Sequence, residues 1–296
     1  MQPLLIDLND YIRTGEGANG ASYNHKTDSS VMLKLYFRNF DAAEKELELA
    51  RKVWQTGIPT PEPGDLVTDG RQVGIRFRRL IGKRSYSRAC GDEPERTEEY
   101  AREFAQMCKK LHSMHVSTAQ FENVKDRLYK MLADNLFFTP EQKNKIHDFI
   151  AAAPEADTAI HGDLQFGNAI FVEENGLRKS CFIDLGDFCY GYPMFDLGMV
   201  YLCCCLNNEE WTMQVNHMSN ATAARFWDAF AQEYFLAPDC PLIHFNSGTL
   251  TFGPGADIAA IEKQVRIYAG LKTLIIERDT HRPMPEFRAM LEGTVY

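Results

Sequence analysis

The segment from Asn168 to Asp184, NAIFVEENGLRKSCFID, constrains the fold more than any other part of the chain. Two strand-like runs flank Asn175-Gly176, a turn dipeptide. If the runs pair as an antiparallel hairpin, the chain folds back near residue 176, a point equidistant from Asn168 and Asp184. Those two side chains then come to the same end of the ribbon. Ahead of the hairpin stands AIHGDLQFGNAIF, residues 159–171, with Asp163 on the loop feeding the first strand. Asp163, Asn168 and Asp184 are therefore expected to converge at one mouth.

Asp and Asn are poor interior residues of helices and strands. Taken singly, each of the three reads as a loop cap or an Asx turn. Together, at these spacings, they read as a site. A carboxylate and an amide oxygen suit a hard cation, Mg²⁺ in particular, which takes one or two carboxylates and fills its shell with water and phosphate. Asn168 and Asp184 are the candidate metal ligands. Asp163 then remains to orient or deprotonate a nucleophile.

The rest of the chain divides by periodicity. The first eighty residues read as strands around one helix. VMLKLYF at 31–37 is strand-like with a single lysine, and runs 65–68 and 72–80 flank the hairpin signal Asp69-Gly70. Residues 41–56 read as a helix with Asp41 as N-cap, Glu44 three residues later, and Leu47, Ala50 and Trp54 at helical spacing. Gly57-Ile58-Pro59 stops it. After Gly82 the pattern turns helical, with helices expected over 95–115, 124–134, 140–152, 194–206, 219–235 and 256–278. The first of these carries Tyr100, Phe104, Met107, Cys108 and Leu111 on one face. His112 and His115 read as a helix end rather than as metal ligands, since no partner motif lies nearby.

Composition narrows the class. The net charge of -9 over 296 residues argues against a broad nucleic-acid binder, which carries a basic excess. The eight cysteines form no CxxC pair, and Cys203-Cys204-Cys205 points three ways on a helix, so free buried thiols are expected. The N-terminus lacks the basic and apolar regions of a signal peptide, and Met199 to Leu206 falls short of the ~18 residues of a membrane span. A cytoplasmic chain with no membrane partner is the expectation. Nothing in the sequence sets an oligomeric state.

HGDLQFGN followed by IDLGD resembles the catalytic and metal-binding motifs of the aminoglycoside phosphotransferase-like family of small-molecule kinases. The family pattern is H-G-D-x-x-x-x-N, then I-D one short hairpin later. Gly191, Pro193, Asp196 and Leu197 are similar to the family's next block. The resemblance implies that Asp196 braces the catalytic loop, that Asp163 is the catalytic base, and that Asn168 and Asp184 hold Mg²⁺. It implies an α+β, protein-kinase-like two-lobe fold. Residues 1–81 form a small β-rich N-lobe that binds ATP or GTP, and residues 82–296 a larger, mostly helical C-lobe.

The N-terminal part fits this pattern. Gly15, Gly17 and Gly20 form a GxGxxG run, which alone is a weak signal. A dinucleotide-binding loop needs a helix at its third glycine. Strand-like residues follow here instead, as in a kinase glycine-rich flap over phosphates. By the same resemblance Lys34 holds the α/β-phosphates. Its ion-pair partner is Glu46, because Leu49 and Val53 follow it at i+3 and i+7, with Glu44 as the alternative. Arg78 and Leu80 fall at the hinge, where backbone groups hold adenine.

Two departures point to the acceptor. The loop reads H-G-D and not the H-R-D of protein kinases, and only nine residues separate Gly186 from Asp196, too few for a peptide-holding segment. Both favour the hydroxyl of a small molecule. Relatives phosphorylate aminoglycosides, choline, homoserine, methylthioribose and ketosamines, and the sequence does not choose among them. Tyr192 stands where relatives often carry Asp. Asp187, Asn207, Asn208, Glu209 and Glu210 tilt the expectation towards an amine-bearing acceptor. The alternative is a nucleotide-binding pseudokinase or regulatory module without turnover, which would show a lost catalytic position; none is lost.

Overall fold

The computed structural model describes residues 2–16, 20–37, 40–247 and 250–296. The chain forms two compact units, one of residues 1–84 with 168–186, the other of residues 85–167 with 187–296. The sequence expectation drew a single cut near residue 81 and put the Asn168–Asp184 hairpin in the second part. The structure assigns that hairpin to the first unit.

The first unit is built on a six-stranded sheet in the order β1-β5-β6-β4-β3-β2. Its strands are β1 (Leu4–Leu5), β2 (Tyr11–Glu16), β3 (Gly20–His25), β4 (Val31–Tyr36), β5 (Pro63–Thr68) and β6 (Val73–Arg78). All neighbours are antiparallel except β1 with β5. Alternation along β4 sorts its side chains onto two faces. Leu33 and Leu35 join Ile6, Tyr11 and Val67 on one face, and Tyr36 joins Leu66 and Ile75 on the other, against Ala43 and Leu47 of α1 (Phe40–Gln55). The same alternation puts Lys34 on the face of Tyr36.

Two details of α1 differ from expectation. It begins at Phe40, so Asp41 lies within the first turn and meets the positive end of the helix dipole instead of capping it. Its buried stripe is Ala43, Leu47 and Val53, while Trp54 is 45% exposed. Strands Ala169–Glu174 and Leu177–Phe182 pair antiparallel, with Glu174 opposite Leu177 across the Asn175-Gly176 turn. The amide of Phe182 donates to the Pro59 carbonyl at 2.9 Å, tying the hairpin to the chain that leaves α1.

The second unit is helical. Its helices are α2 (Tyr86–Asp92), α3 (Thr97–His112), α4 (Val124–Asp134), α5 (Pro140–Ala152), α6 (Met194–Tyr201), α7 (Glu209–Trp211), α8 (Asn220–Phe235), α9 (Ile258–Gly270), α10 (Lys272–Thr280) and α11 (Pro285–Arg288). Phe104 of α3 packs on Phe226 and Phe230 of α8, and Phe195 of α6 on Tyr268 of α9. Two expected helices are interrupted. Residues 194–206 pass from α6 into a π-helical turn at Leu202–Leu206. Residues 256–278 split at Leu271 into α9 and α10. The two-residue strands Ala159–Ile160 and Cys189–Tyr190 pair antiparallel and bracket the start of the H-G-D loop. All eight cysteines are free, and all but Cys205 are buried.

Candidate active site

In the first unit three charged side chains meet. Lys34 Nζ lies 2.8 Å from Glu46 Oε1 and 2.8 Å from Asp184 Oδ1. Of the two glutamates on α1 considered as partners, Glu46 is thus the one in contact. Burial on its own lowers the pKa of a lysine. The Asp184 and Glu46 carboxylates outweigh it here and hold Lys34 above its ordinary value. Tyr36, two residues on, turns its ring to the ammonium at 5.2 Å. Its hydroxyl is buried and has no hydrogen-bond partner among the described residues.

The hairpin register places Asn168 opposite Ile183, whose amide donates to the Asn168 carbonyl at 2.8 Å. Asp184 is one residue beyond, with φ of 60°, and is not directly opposite Asn168 as the midpoint at residue 176 predicted. The shift arises because Asn175 and Gly176 both take positive φ and form a two-residue turn, which centres the hairpin between them. The side chain of Asp184 is 54% exposed, whereas Asn168 is buried. Two hard oxygen donors at one hairpin end suit a cation that takes the rest of its shell from phosphate and water. Among the described residues no group of three or more His, Cys, Asp and Glu gathers as a metal site.

At the glycine run β2, ending at Glu16, pairs antiparallel with β3, starting at Gly20. Gly17 lies outside the described residues. A Cβ at Gly15 would meet nothing within 4 Å, whereas one at Gly20 would stand 2.2 Å from the Leu35 carbonyl oxygen. Gly20 is therefore demanded by the neighbouring strand. The amide of Arg78, one of two backbone positions expected to face adenine, donates to the Glu62 carbonyl at 2.9 Å. It has no free N–H to offer. Leu80 makes no backbone hydrogen bond among the described residues and keeps that capacity.

The second unit carries the loop with Asp163. Asp196, fully buried on α6, accepts the His161 amide at 2.7 Å on Oδ2 and the Gly162 amide at 2.9 Å on Oδ1. Burial raises an aspartate pKa, but the His112 hydrogen bond at 3.2 Å and the His161 amide win and hold Asp196 below the ordinary value. His112, read from sequence as a helix end, is thus buried between Asp196 and the Tyr234 hydroxyl, 2.7 Å from its Nδ1. Its exposed neighbour His115 pairs with Asp157 at 2.6 Å. The amide of Asp163 donates to His161 Nδ1 at 3.3 Å. Gly162 has φ of 84°, and a Cβ there would stand 1.9 Å from the Asp187 carbonyl oxygen. Arg127 donates to that same carbonyl and to Phe188 O, and to Glu122 at 2.9 Å. Nothing local in the sequence signals Arg127.

The acidic tilt of residues 187–210 weakens in the structure. Asn207 donates to the Leu202 carbonyl, Asn208 caps α7, and Glu209 accepts the Asn220 amide. Asp187 sits 3.7 Å from Arg127. These groups serve local backbone and a neighbouring cation, so they give no support to an amine-bearing acceptor.

A strand lysine held by a helix glutamate, with an H-G-D loop braced from below by a buried aspartate, is the arrangement of a protein-kinase-like phosphotransferase. Residues 11–239 match the model of the phosphotransferase enzyme family, and the chain belongs to that family. No curated protein matches it by sequence. Several solved structures share its fold. A choline/ethanolamine kinase family protein from Mesorhizobium loti is 15% identical, with a TM-score of 0.52, over 96% of this chain and 84% of its own. A thermostable mutant of aminoglycoside phosphotransferase APH(4)-Ia, in ternary complex with AMP-PNP and hygromycin B, is 13% identical, with a TM-score of 0.62, over 96% and 95%. ADP-bound aminoglycoside phosphotransferase APH(2'')-Ib is 16% identical, with a TM-score of 0.55, over 96% and 92%. No helix among the described residues is long and apolar enough to cross a membrane.

Proposed function

We propose that the chain transfers the γ-phosphoryl group of ATP or GTP to a hydroxyl of a small molecule. The observation that carries the reading is Lys34, held at 2.8 Å by both Glu46 and Asp184. A cation so fixed is ready to meet α- and β-phosphate oxygens when nucleotide enters. Structural neighbours solved with ADP or with AMP-PNP and hygromycin B support a nucleotide and a polar small-molecule acceptor.

In this reading Asn168 and Asp184 hold Mg²⁺, which neutralises charge on the phosphates when bound. Lys34, steadied by Glu46, fixes the α- and β-phosphates, and strands β2 and β3, with Gly15 and Gly20, cover them. Asp163 orients the acceptor hydroxyl and takes its proton as the new oxygen–phosphorus bond forms and the bond to the β-phosphate oxygen breaks. The backbone hydrogen bonds from His161 and Gly162 to Asp196 keep the Asp163 loop in place. Catalysis is then mainly positioning and charge stabilisation.

The test is thermal unfolding with Mg·ATP and Mg·GTP, followed by a panel of amino sugars, amino alcohols and neutral sugars. Nucleotide at about a hundred times its dissociation constant adds ~2.7 kcal/mol, a shift of several degrees. A magnesium-dependent shift that Asp184→Ala abolishes, together with stoichiometric phosphorylation of a panel member, supports the reading. No shift with either nucleotide overturns it.

A further inference from the structure

We propose that Lys272 is a positioning residue of the phosphoryl-transfer site, holding the peptide that presents Asp163; this rests on the function proposed above. The backbone of Gly162 is gripped from two sides, one on each of its two peptide groups. Its amide donates to Asp196 Oδ1 at 2.9 Å, and its carbonyl accepts from Lys272 Nζ at 2.8 Å. Asp163 is the next residue. Gly162 sits at a φ of 84° that only its own substituent-free Cα tolerates here, so this peptide has few other ways to be held.

Two features make Lys272 a poor choice for structure alone. It is buried, with 8% of its surface exposed. It makes no ion pair among the described residues, and burying an unpaired charge is costly. A neutral donor would satisfy one carbonyl without these costs. The cation keeps a charge-assisted hydrogen bond on the loop, stronger than a neutral one. It therefore complements Asp196, which holds the amides of the same turn with negative charge. A cavity of about 30 Å³ lined by Lys272, Gly162, Asp187, Asp196, Arg127 and Tyr268 leaves room for a longer side chain at this position.

The experiment compares full-length wild type, Lys272→Met and Lys272→Arg. Steady-state kinetics use the acceptor found in the panel, or water through ATP hydrolysis. Hydrogen exchange follows the peptide spanning residues 161–167, and unfolding with Mg·AMP-PNP reports the nucleotide site. Lys272→Met is expected to lower kcat about 10- to 100-fold through misplacement of the base. KM for ATP and the nucleotide-induced shift should stay within about twofold while amides 161–163 exchange faster. Lys272→Arg is expected to recover most of kcat. An unchanged kcat in Lys272→Met overturns the proposal. So does a parallel loss of kcat and nucleotide binding that arginine fails to rescue, which marks a general fold defect. If Lys272→Met does not fold, Lys272→Gln is measured in its place. Should wild type bind Mg·ATP yet transfer to nothing, the function reading fails, and exchange at 161–163 alone decides for or against Lys272.

Discussion

Lys34 Nζ and Asp184 Oδ1 lie 2.8 Å apart although 150 residues separate them in the chain. The pair joins the middle of a sheet strand to the end of a hairpin, and Glu46 completes it from α1. Lys34→Met would leave two carboxylates facing each other. The expected outcome is a fall in kcat/KM for ATP of about 100-fold, the scale for losing one charged donor to a transition state. Circular dichroism should stay native. A variant with wild-type kcat/KM would remove Lys34 from the phosphate site.

Asp163→Asn keeps the size of the side chain and removes its basicity. General-base loss costs roughly 10²- to 10⁴-fold in kcat. The Mg·nucleotide shift in unfolding temperature should persist, because the groups assigned to nucleotide are elsewhere. Undiminished turnover in this variant would reassign the base.

Two glycines make opposite predictions. Alanine at Gly162 would place Cβ 1.9 Å from the Asp187 carbonyl oxygen at a φ of 84°. Strain of about 1–3 kcal/mol and a drop of roughly 5 °C or more in unfolding temperature are expected. Alanine at Gly15 meets nothing within 4 Å and should leave stability within about 0.5 kcal/mol. A raised KM for ATP at unchanged stability would tie Gly15 to phosphate; unchanged kinetics would make it an ordinary strand residue.

Asp196 sets an acid limit. Its folded pKa is held below the ordinary 3.8. As pH falls, the unfolded chain binds the proton first. Its contribution to stability is therefore complete well above 3.8 and declines below it towards the depressed folded value. Denaturant unfolding from pH 6 to pH 3 should show a steeper decline for wild type than for Asp196→Asn. That variant loses on the order of 3 kcal/mol at pH 6, because His112 and two amides lose a charged partner. Equal slopes would show that Asp196 is not the depressed group.

The seven buried thiols should be unreactive in the native chain. Burial pushes Cys181 and Cys189 up to about 12, and the thiolate is the attacking form. Titration with a disulfide reagent at pH 7 should leave the seven buried thiols slow to react when native and reach eight thiols after unfolding. Rapid native labelling of any thiol other than Cys205 would identify a site that burial does not protect.

What the sequence revealed follows the range of the forces involved. Helices α4 and α5 have the predicted ends because their starts are written locally, by Asn123 as N-cap and by the Thr139–Gln142 capping box with Pro140. The hairpin was legible from its turn and its alternating runs, and the one-residue error came from counting to Gly176 instead of between two positive-φ residues. Lys34 with Glu46 was legible because one motif and one helix face sufficed. His112 does end α3, as the sequence indicated, but its bond to Asp196 was not legible because that partner lies 84 residues on. Lys272 and Arg127 were invisible for the same reason: the backbone each holds is 110 and 60 residues distant, and nothing at short range distinguishes them from helix-surface cations.

The first unit is discontinuous, with its hairpin supplied by residues 168–186. Recombination that treats the front of this gene as a portable cassette would therefore carry Lys34 and Glu46 but leave Asp184 behind. Chimeras between relatives should work when both stretches travel together and fail when either is exchanged alone, so the heritable module here is a pair of segments and not a block.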